Sequence, residues 1–198
     1  MTKATIIKTG IANLASVKAG LARAGAEVVV SSDPQQIIEA SHAILPGVGN
    51  FSAGMKCLRE AGLEDAIKYR FENSLPTLAI CLGLQMLFES SEEDPEEKGL
   101  GIISGKVQKF SKNVRVPQLG WNHVEPAKNS KFLKPGYAYF ANSYKINEVP
   151  KKWSPAICNY DGEFVAAFER GSILAMQFHP ELSGQWGLDI LQRWVCSQ

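Results

Sequence analysis

The sequence predicts an α/β fold: an open, mostly parallel, doubly wound sheet with antiparallel strands appended in the second half. Three observations carry this. The first half alternates short apolar runs with segments of helical periodicity. Those runs, such as "HAILPG" and "PTLAIC", are continuously apolar rather than alternating, as strands buried on both faces are. The second half loses the helical period and reads as run after run of strand-like sequence until its last segment.

The elements follow in order. "ATIIK" is a strand, and "NLASVKAGLARAG" is a helix with Leu14, Val17 and Leu21 on one face and Gly25 where a C-cap glycine belongs. "EVVVS" is the second strand. It leads to "DPQQIIEA", where Asp33 is placed to cap the helix and Pro34 to occupy its first position. "HAILPG" is the third strand. The stretch "NFSAGMKCLREAGLEDAIKYRFENS" reads as one or two helices broken near Gly62, and "PTLAIC" is the fourth strand, running straight into a further helix. Beyond it, "GIISGKVQKF", "YAYFANSYKI", "PAICNYD", "FVAAFERG" and "ILAMQFHP" are strands separated by turn residues, and "SGQWGLDILQRWVCS" is the closing helix. No repeat or linker divides residues 1–198, so a single domain is expected.

Composition narrows the function. With 45% hydrophobic and 21% charged residues, neither disorder nor a disulfide scaffold is indicated. A net charge of +1, with only "SSEEDPEEKG" as a dense acidic patch, gives no support to nucleic-acid or membrane-surface binding. No apolar stretch is long enough for a membrane span and the N-terminus lacks a signal-peptide core, so a cytoplasmic location is expected. Cys57, Cys81, Cys158 and Cys196 are too dispersed for a zinc site, and no metal or cofactor is implied.

In doubly wound folds, chemistry collects at the carboxyl ends of strands. Three motifs land there. The first, Ala79-Ile80-Cys81-Leu82-Gly83, has the small-x-nucleophile-x-Gly form of a nucleophile elbow, a tight turn that tolerates only small residues two positions either side of the thiol. The following helix would favour the thiolate through its dipole, and the Leu82 N–H would face a developing oxyanion. The rival reading is a buried, inert core thiol, the commoner state of a lone cysteine.

The second motif is His179-Pro180-Glu181, which offers a general base with a carboxylate two residues on to orient it. A satisfied core histidine is the alternative. His42 and His123 compete poorly, since neither has a carboxylate evidently placed to orient it. The third, "PGVGNF", supplies mobile backbone N–H groups or an ordinary turn; it lacks the lysine and hydroxyl residue of a phosphate loop.

Taken in order along the whole chain, "ILPGVGNF", "ICLGLQMLFESSEE", "KGLGIISGKV", "VPQLGWN", "YFANSY", "YDG" and "QFHPELSG" give a specific match. The chain resembles the class I (triad-type) glutamine amidotransferases and, among them, the HisH-type glutaminase subunits of imidazole glycerol phosphate synthase. That resemblance implies hydrolysis of the glutamine side-chain amide to glutamate and ammonia. Cys81 would be the nucleophile, His179 the proton shuttle and Glu181 its orienting carboxylate. The N–H of Leu82, with that of Val48 or Gly49, would form the oxyanion hole.

By position, the resemblance also implies glutamine contacts at Gly49, Gln85, Glu93, Ser143 and Tyr144. From sequence alone, Glu93 would otherwise read as a solvated acid in an acidic loop. The implied partner is a HisF-type (β/α)8 cyclase that receives the ammonia to make imidazole glycerol phosphate and aminoimidazole carboxamide ribotide in histidine biosynthesis. Asn13, Trp121, Tyr139 and Leu182 match interface positions.

The chain departs from the family pattern at a few points. Leu182 stands where a lysine is usual, Gly10-Ile11-Ala12-Asn13 replaces "GxGN", Asn142 replaces a frequent histidine and Ala79 a glycine. Rival readings are a paralogous subunit feeding another ammonia acceptor, an anthranilate-type or aminodeoxychorismate-type amidotransferase subunit, and a non-catalytic thiol module. "PGVGNF" and "PQLGWN" fit the anthranilate and aminodeoxychorismate types poorly.

Overall fold

Strands and helices alternate through the first half: β1 (Lys3–Ile7), α1 (Leu14–Arg23), β2 (Glu27–Ser31), α2 (Pro34–Glu39) and β3 (His42–Gly47). Then come α3 (Phe51–Glu60), α4 (Glu64–Glu72), β4 (Thr77–Cys81) and α5 (Leu82–Gln85). The computed structural model describes residues 1–10 and 12–197; Ile11, one of the departures noted above, lies outside the described residues.

Local chemistry sets the boundaries. Asp33 caps α2 by accepting from the Gln35 N–H at 2.9 Å, with Pro34 at the first helical position. Gly62, at φ +65°, separates α3 from α4. The second half continues with β5 (Phe88–Ser91), β6 (Asp94–Lys98), β7 (Ile103–Lys109), β8 (Gln118–Pro126), β9 (Gly136–Asn142) and β10 (Tyr144–Lys145). It ends with β11 (Ser154–Asn159), β12 (Glu163–Arg170), β13 (Ile173–Met176), a 3-10 turn over Pro180–Leu182, and α6 (Gly184–Val195).

Among the described residues the main sheet runs β2-β1-β3-β4-β13-β12-β11-β8-β9. Its first five strands are parallel and the rest antiparallel, as the sequence predicts. Both faces of the parallel part are covered. Ile6, Ile44, Leu78 and Ile80 pack with Val17 and Leu21 of α1 and Trp194 of α6. Ile7, Leu45 and Ala79 pack on the other face, with Met55 and Leu58 of α3 and Phe71 of α4. Strand residues that alternate between two apolar cores explain why "TLAIC" carries no polar face.

Three expectations need correction. The helix after Cys81 is a single turn of four residues, because the chain leaves it to form β5 beside β7. It therefore supplies little macrodipole, and the proximity of its unpaired first N–H groups is what remains of that argument. The acidic stretch read as a loop contains β6, which pairs with β5, and "QLGWNHVEP", not read as a strand, is β8. β5 and β6 are short and β6 is mostly polar, while β8 carries no clean alternation of polar and apolar residues, so their pairing is decided by neighbours rather than by pattern. A second sheet, β10-β7-β5-β6, results and lies against the α3 side of the core through Phe88, Ile103 and Val107.

A charge absent from the sequence reading helps hold this frame. Arg70 is fully buried with no carboxylate partner among the described residues, and its guanidinium donates to the carbonyls of Ile37 (2.9 Å), Ala40 (2.8 Å) and Pro76 (2.6 Å). Burial lowers its pKa to about 10, and the cation ties the end of α2 to the start of β4.

Candidate active site

Pairing of β4 with both β3 and β13 brings distant segments to one point. β4 runs parallel to β3, with Gly47 opposite Cys81, and parallel to β13, with Met176 opposite Ile80. The residues just after β13 therefore emerge beside the residue that ends β4. Residues 96 positions apart in sequence become neighbours through register alone.

Cys81 sits at φ +53°, ψ −112°, in the region non-glycine residues avoid. Such strain costs on the order of 1–3 kcal/mol and is held by the surrounding packing. That packing is explicit at the flanking glycines. A Cβ on Gly83 would overlap the Leu45 carbonyl oxygen, and one on Gly47 would stand 2.9 Å from the Leu82 Cβ. The small-residue requirement of the elbow is thus a close approach between β3 and the start of α5. Cys81 is 7% exposed, at the floor of a cavity of about 340 Å³.

His179 lies beside Cys81 in that cavity and is 7% exposed. Its Nδ1 is 2.9 Å from Glu181 Oε1. The backbone holds the ring in place: His179 N–H donates to the Tyr139 carbonyl at 3.0 Å, and its own carbonyl accepts from Ser183 Oγ at 2.6 Å. Ser183 Oγ in turn accepts from the Tyr139 N–H at 2.9 Å, closing a clamp between β9 and the 3-10 turn. Gly20 of α1 admits Glu181, since a Cβ there would come within 2.9 Å of the Glu181 Cβ.

Burial by itself pushes the His179 imidazole down. Hydrogen bonds to Cys81 and Glu181, and their charges, outweigh burial and raise it to about 10. The ring is therefore a cation at neutral pH, equipped to stabilise a thiolate and to deliver a proton to a departing amine.

Further walls come from four other segments. Val48 and Gly49 lie on the loop after β3, with Gly49 at φ +98°, and Leu82 and Gln85 on the one-turn helix. Ser143 comes from the β9–β10 connection, Tyr144 from the start of β10, and Glu93 from the turn after β5. Glu93 is half-buried rather than a solvated loop acid, and its Oε2 accepts from the Phe51 N–H at 2.7 Å. It anchors the end of the "PGVGN" loop, whose Asn50 caps α3 by accepting from the Ala53 N–H at 3.1 Å.

The other singled-out residues lie outside the cavity. Trp121 and Leu182 are exposed, at 53% and 43%, and Trp121 packs edge-on to Tyr139 with ring centroids 6.1 Å apart. Leu119 and Tyr137 extend the same face of the β8–β9 hairpin into an apolar patch. Asn13 is exposed and caps α1 by accepting from the Ser16 N–H. His123 also lies on this outer face; contrary to the sequence reading it has a carboxylate nearby, Glu125 Oε2 at 4.0 Å, but both groups are exposed and away from the cavity. His42 is buried edge-on to Trp194.

Sequence reasoning passed over Pro117, Ala141 and Asn142 as cavity walls, and Gln177 behind the thiol. Gln177 had a signal: an amide ending the apolar run "ILAMQ" is out of place unless something there needs it.

Comparison with known proteins places the chain in a family. The model of the family described as glutamine amidotransferase class-I matches residues 6–196. The subunit HisH of imidazole glycerol phosphate synthase from Methanosarcina mazei is 39% identical, across 98% of each chain. The hisHF imidazole glycerol phosphate synthase of Arabidopsis thaliana, chloroplastic, is also 39% identical over 96% of this chain, which spans only 33% of that longer protein. A solved glutamine amidotransferase superposes with a TM-score of 0.73 at 21% identity, covering 94% of this chain and 98% of that one, a likeness of fold. The chain belongs to the class I glutamine amidotransferase family and groups within it with the HisH subunits.

Proposed function

We propose that the chain is the glutaminase subunit of a two-part enzyme of histidine biosynthesis, working in the cytoplasm as one amidotransferase domain over residues 1–198. It hydrolyses L-glutamine to glutamate and ammonia and passes the ammonia to a HisF-type (β/α)8 cyclase, which makes imidazole glycerol phosphate and aminoimidazole carboxamide ribotide. The observation that carries the reading is the placement of Cys81 and the Glu181-paired His179 in one cavity with Glu93.

In this reading the Cys81 sulfur attacks the side-chain carbonyl carbon of glutamine. The carbonyl oxygen becomes an oxyanion held by the N–H of Leu82 and that of Val48 or Gly49, each such donor being worth about 3–4 kcal/mol in the transition state. The C–N bond then breaks as the His179 imidazolium gives its proton to the leaving nitrogen, releasing ammonia and a thioester. Now neutral, His179 takes a proton from water; the resulting hydroxide displaces the sulfur, freeing glutamate and restoring the thiolate and imidazolium.

Glu93 suits the α-ammonium of the substrate. Backbone N–H groups around Gly49, Ser143 and Tyr144 suit its α-carboxylate, and Gln85 its side chain. Ammonia protonates in water and loses its nucleophilicity, so a source of this kind needs a sink docked on it. The exposed Trp121 with Tyr139 against it, and the exposed Leu182 and Asn13, mark where we place the cyclase. A relative whose name joins the two subunit designations in one chain supports that pairing.

The test is glutamate release from glutamine by the chain alone and with a HisF-type cyclase, alongside Cys81→Ala. Release should be low alone and rise with the cyclase. Absence of release in both conditions, or equal release by Cys81→Ala, overturns the reading.

A further inference from the structure

Gln177 is completely buried, one position past the end of β13, where the parallel register sets it opposite Cys81. A glutamine in that environment forfeits hydration of two donors and two lone pairs unless the protein replaces them. Here it does. Gln177 Oε1 accepts from Gln85 Nε2 at 2.9 Å, and Gln177 Nε2 donates to Cys81 Sγ at 3.6 Å. The backbone is fixed as well, since the Gln177 N–H donates to the Ala166 carbonyl at 2.8 Å.

We propose that Gln177 is a further catalytic residue, a buried amide donor that stabilises the Cys81 thiolate, and that Gln85 is the positioning residue that holds this amide in its donating orientation. The proposal deepens the amidotransferase reading and rests on Cys81 being its nucleophile.

The physical case is a difference between two states of sulfur. A neutral thiol is a weak acceptor, whereas a hydrogen bond to an anion is about twice as strong as one between neutral groups. The Gln177 N–H therefore gains most when Cys81 is ionised, and a donor that prefers the charged form lowers the pKa of that form. This matters because the helix after Cys81 is only one turn long and cannot supply the stabilisation that longer helices give. The amide and the His179 imidazolium approach the sulfur from the segment after β13.

Gln85 connects this device to the substrate. Its Nε2 donates to Gln177 Oε1, and the residue lines the cavity. A substrate that draws Gln85 toward itself would also alter the amide behind the nucleophile.

The test is the pH dependence of Cys81 alkylation by iodoacetamide in the full chain, followed on the Cys81 peptide by mass spectrometry. The charged or titratable groups around the sulfur, His179 with Glu181 behind it and Glu93 and Tyr144 across the cavity, are common to every variant. Because thiol and imidazole titrate as a pair, the comparison between variants is what isolates the amide.

Gln177→Met, which keeps the volume and removes the donor, should move the midpoint up by about one pH unit, a tenfold loss of thiolate below the midpoint. Gln85→Met, which releases the Gln177 amide, should move it the same way by a smaller amount, and it decides the matter if Gln177→Met does not fold. With the cyclase present, Gln177→Met should lower kcat about tenfold and leave KM within about twofold. An unmoved midpoint in a folded variant overturns the proposal. A moved midpoint in a chain whose parent releases no glutamate overturns the amidotransferase reading and leaves the sulfur contact standing.

Discussion

Around Cys81, position is enforced by exclusion: Gly83 has no room for a Cβ against the Leu45 carbonyl, the cysteine backbone is held at φ +53°, and His179 is clamped by Tyr139 and Ser183. On the outer face of the β8–β9 hairpin, Leu119, Trp121 and Tyr137 stand 53–60% exposed, with the indole edge-on to Tyr139. The two regions touch, because the Tyr139 backbone that carries the outer face also carries the clamp on His179. The difference teaches where function was bought at the expense of stability. The cavity stores strain and buried charge, which must be held by packing, whereas the patch leaves apolar area in water, which a partner can cover.

The largest expected effect breaks chemistry and spares the fold. Cys81→Ser should reduce cyclase-supported glutamate release at least about 10⁴-fold, as loss of a triad nucleophile does, with a melting temperature close to that of the parent. Activity within tenfold of the parent would remove the thiol from the mechanism.

Next comes the buried pair. The folded chain raises the His179 pKa from 6.5 to about 10, so it binds that proton more tightly than the unfolded chain. The stabilisation is fully present below about pH 6.5 and is lost as pH rises through about 10. Glu181→Leu leaves the buried imidazolium without its carboxylate and should cost about 3–5 kcal/mol near pH 6. Urea denaturation of parent and variant from pH 6 to 10.5 should show the gap closing; a constant gap refutes the pairing. A further step down is Gly83→Ala, expected to cost about 3 kcal/mol by overpacking against a carbonyl that cannot move without disturbing β3. A shift below 0.5 kcal/mol would mean the corner is looser than its geometry.

The same contrast explains what the sequence could disclose. The parallel half of the sheet was legible because strands buried on both faces write continuous apolar runs, and the caps at Asp33 and Gly25 mark where helices start and stop. The elbow was legible because its steric demand is local. Strands β5, β6 and β8 were not, since their residues are mixed and their pairing is made by neighbours far away in sequence. Gln177 was missed for the same reason: its role comes from a register between β4 and β13, and no local pattern announces which strand will lie beside which. The exposed aromatics were legible only as a family resemblance, because nothing local in "QLGWNHVEP" says which of its side chains will face water.

The smallest effect tests the outer face, where substitution should divide binding from folding. Trp121→Ala should change the unfolding free energy by less than about 0.5 kcal/mol, because most of the indole is already in water. An interface anchor of this kind is worth about 2 kcal/mol, so cyclase affinity should fall about thirtyfold. Calorimetric titration of the cyclase into parent and variant measures the second quantity, and thermal denaturation the first. Leu182→Lys, at 43% exposure, adds a charge without removing an aromatic anchor, and its change in affinity should be smaller than that of Trp121→Ala. If Trp121→Ala instead lowers stability by 2 kcal/mol and leaves affinity unchanged, the hairpin face belongs to the fold. Tyr139 then clamps His179 without reporting a partner, and the cyclase must dock elsewhere.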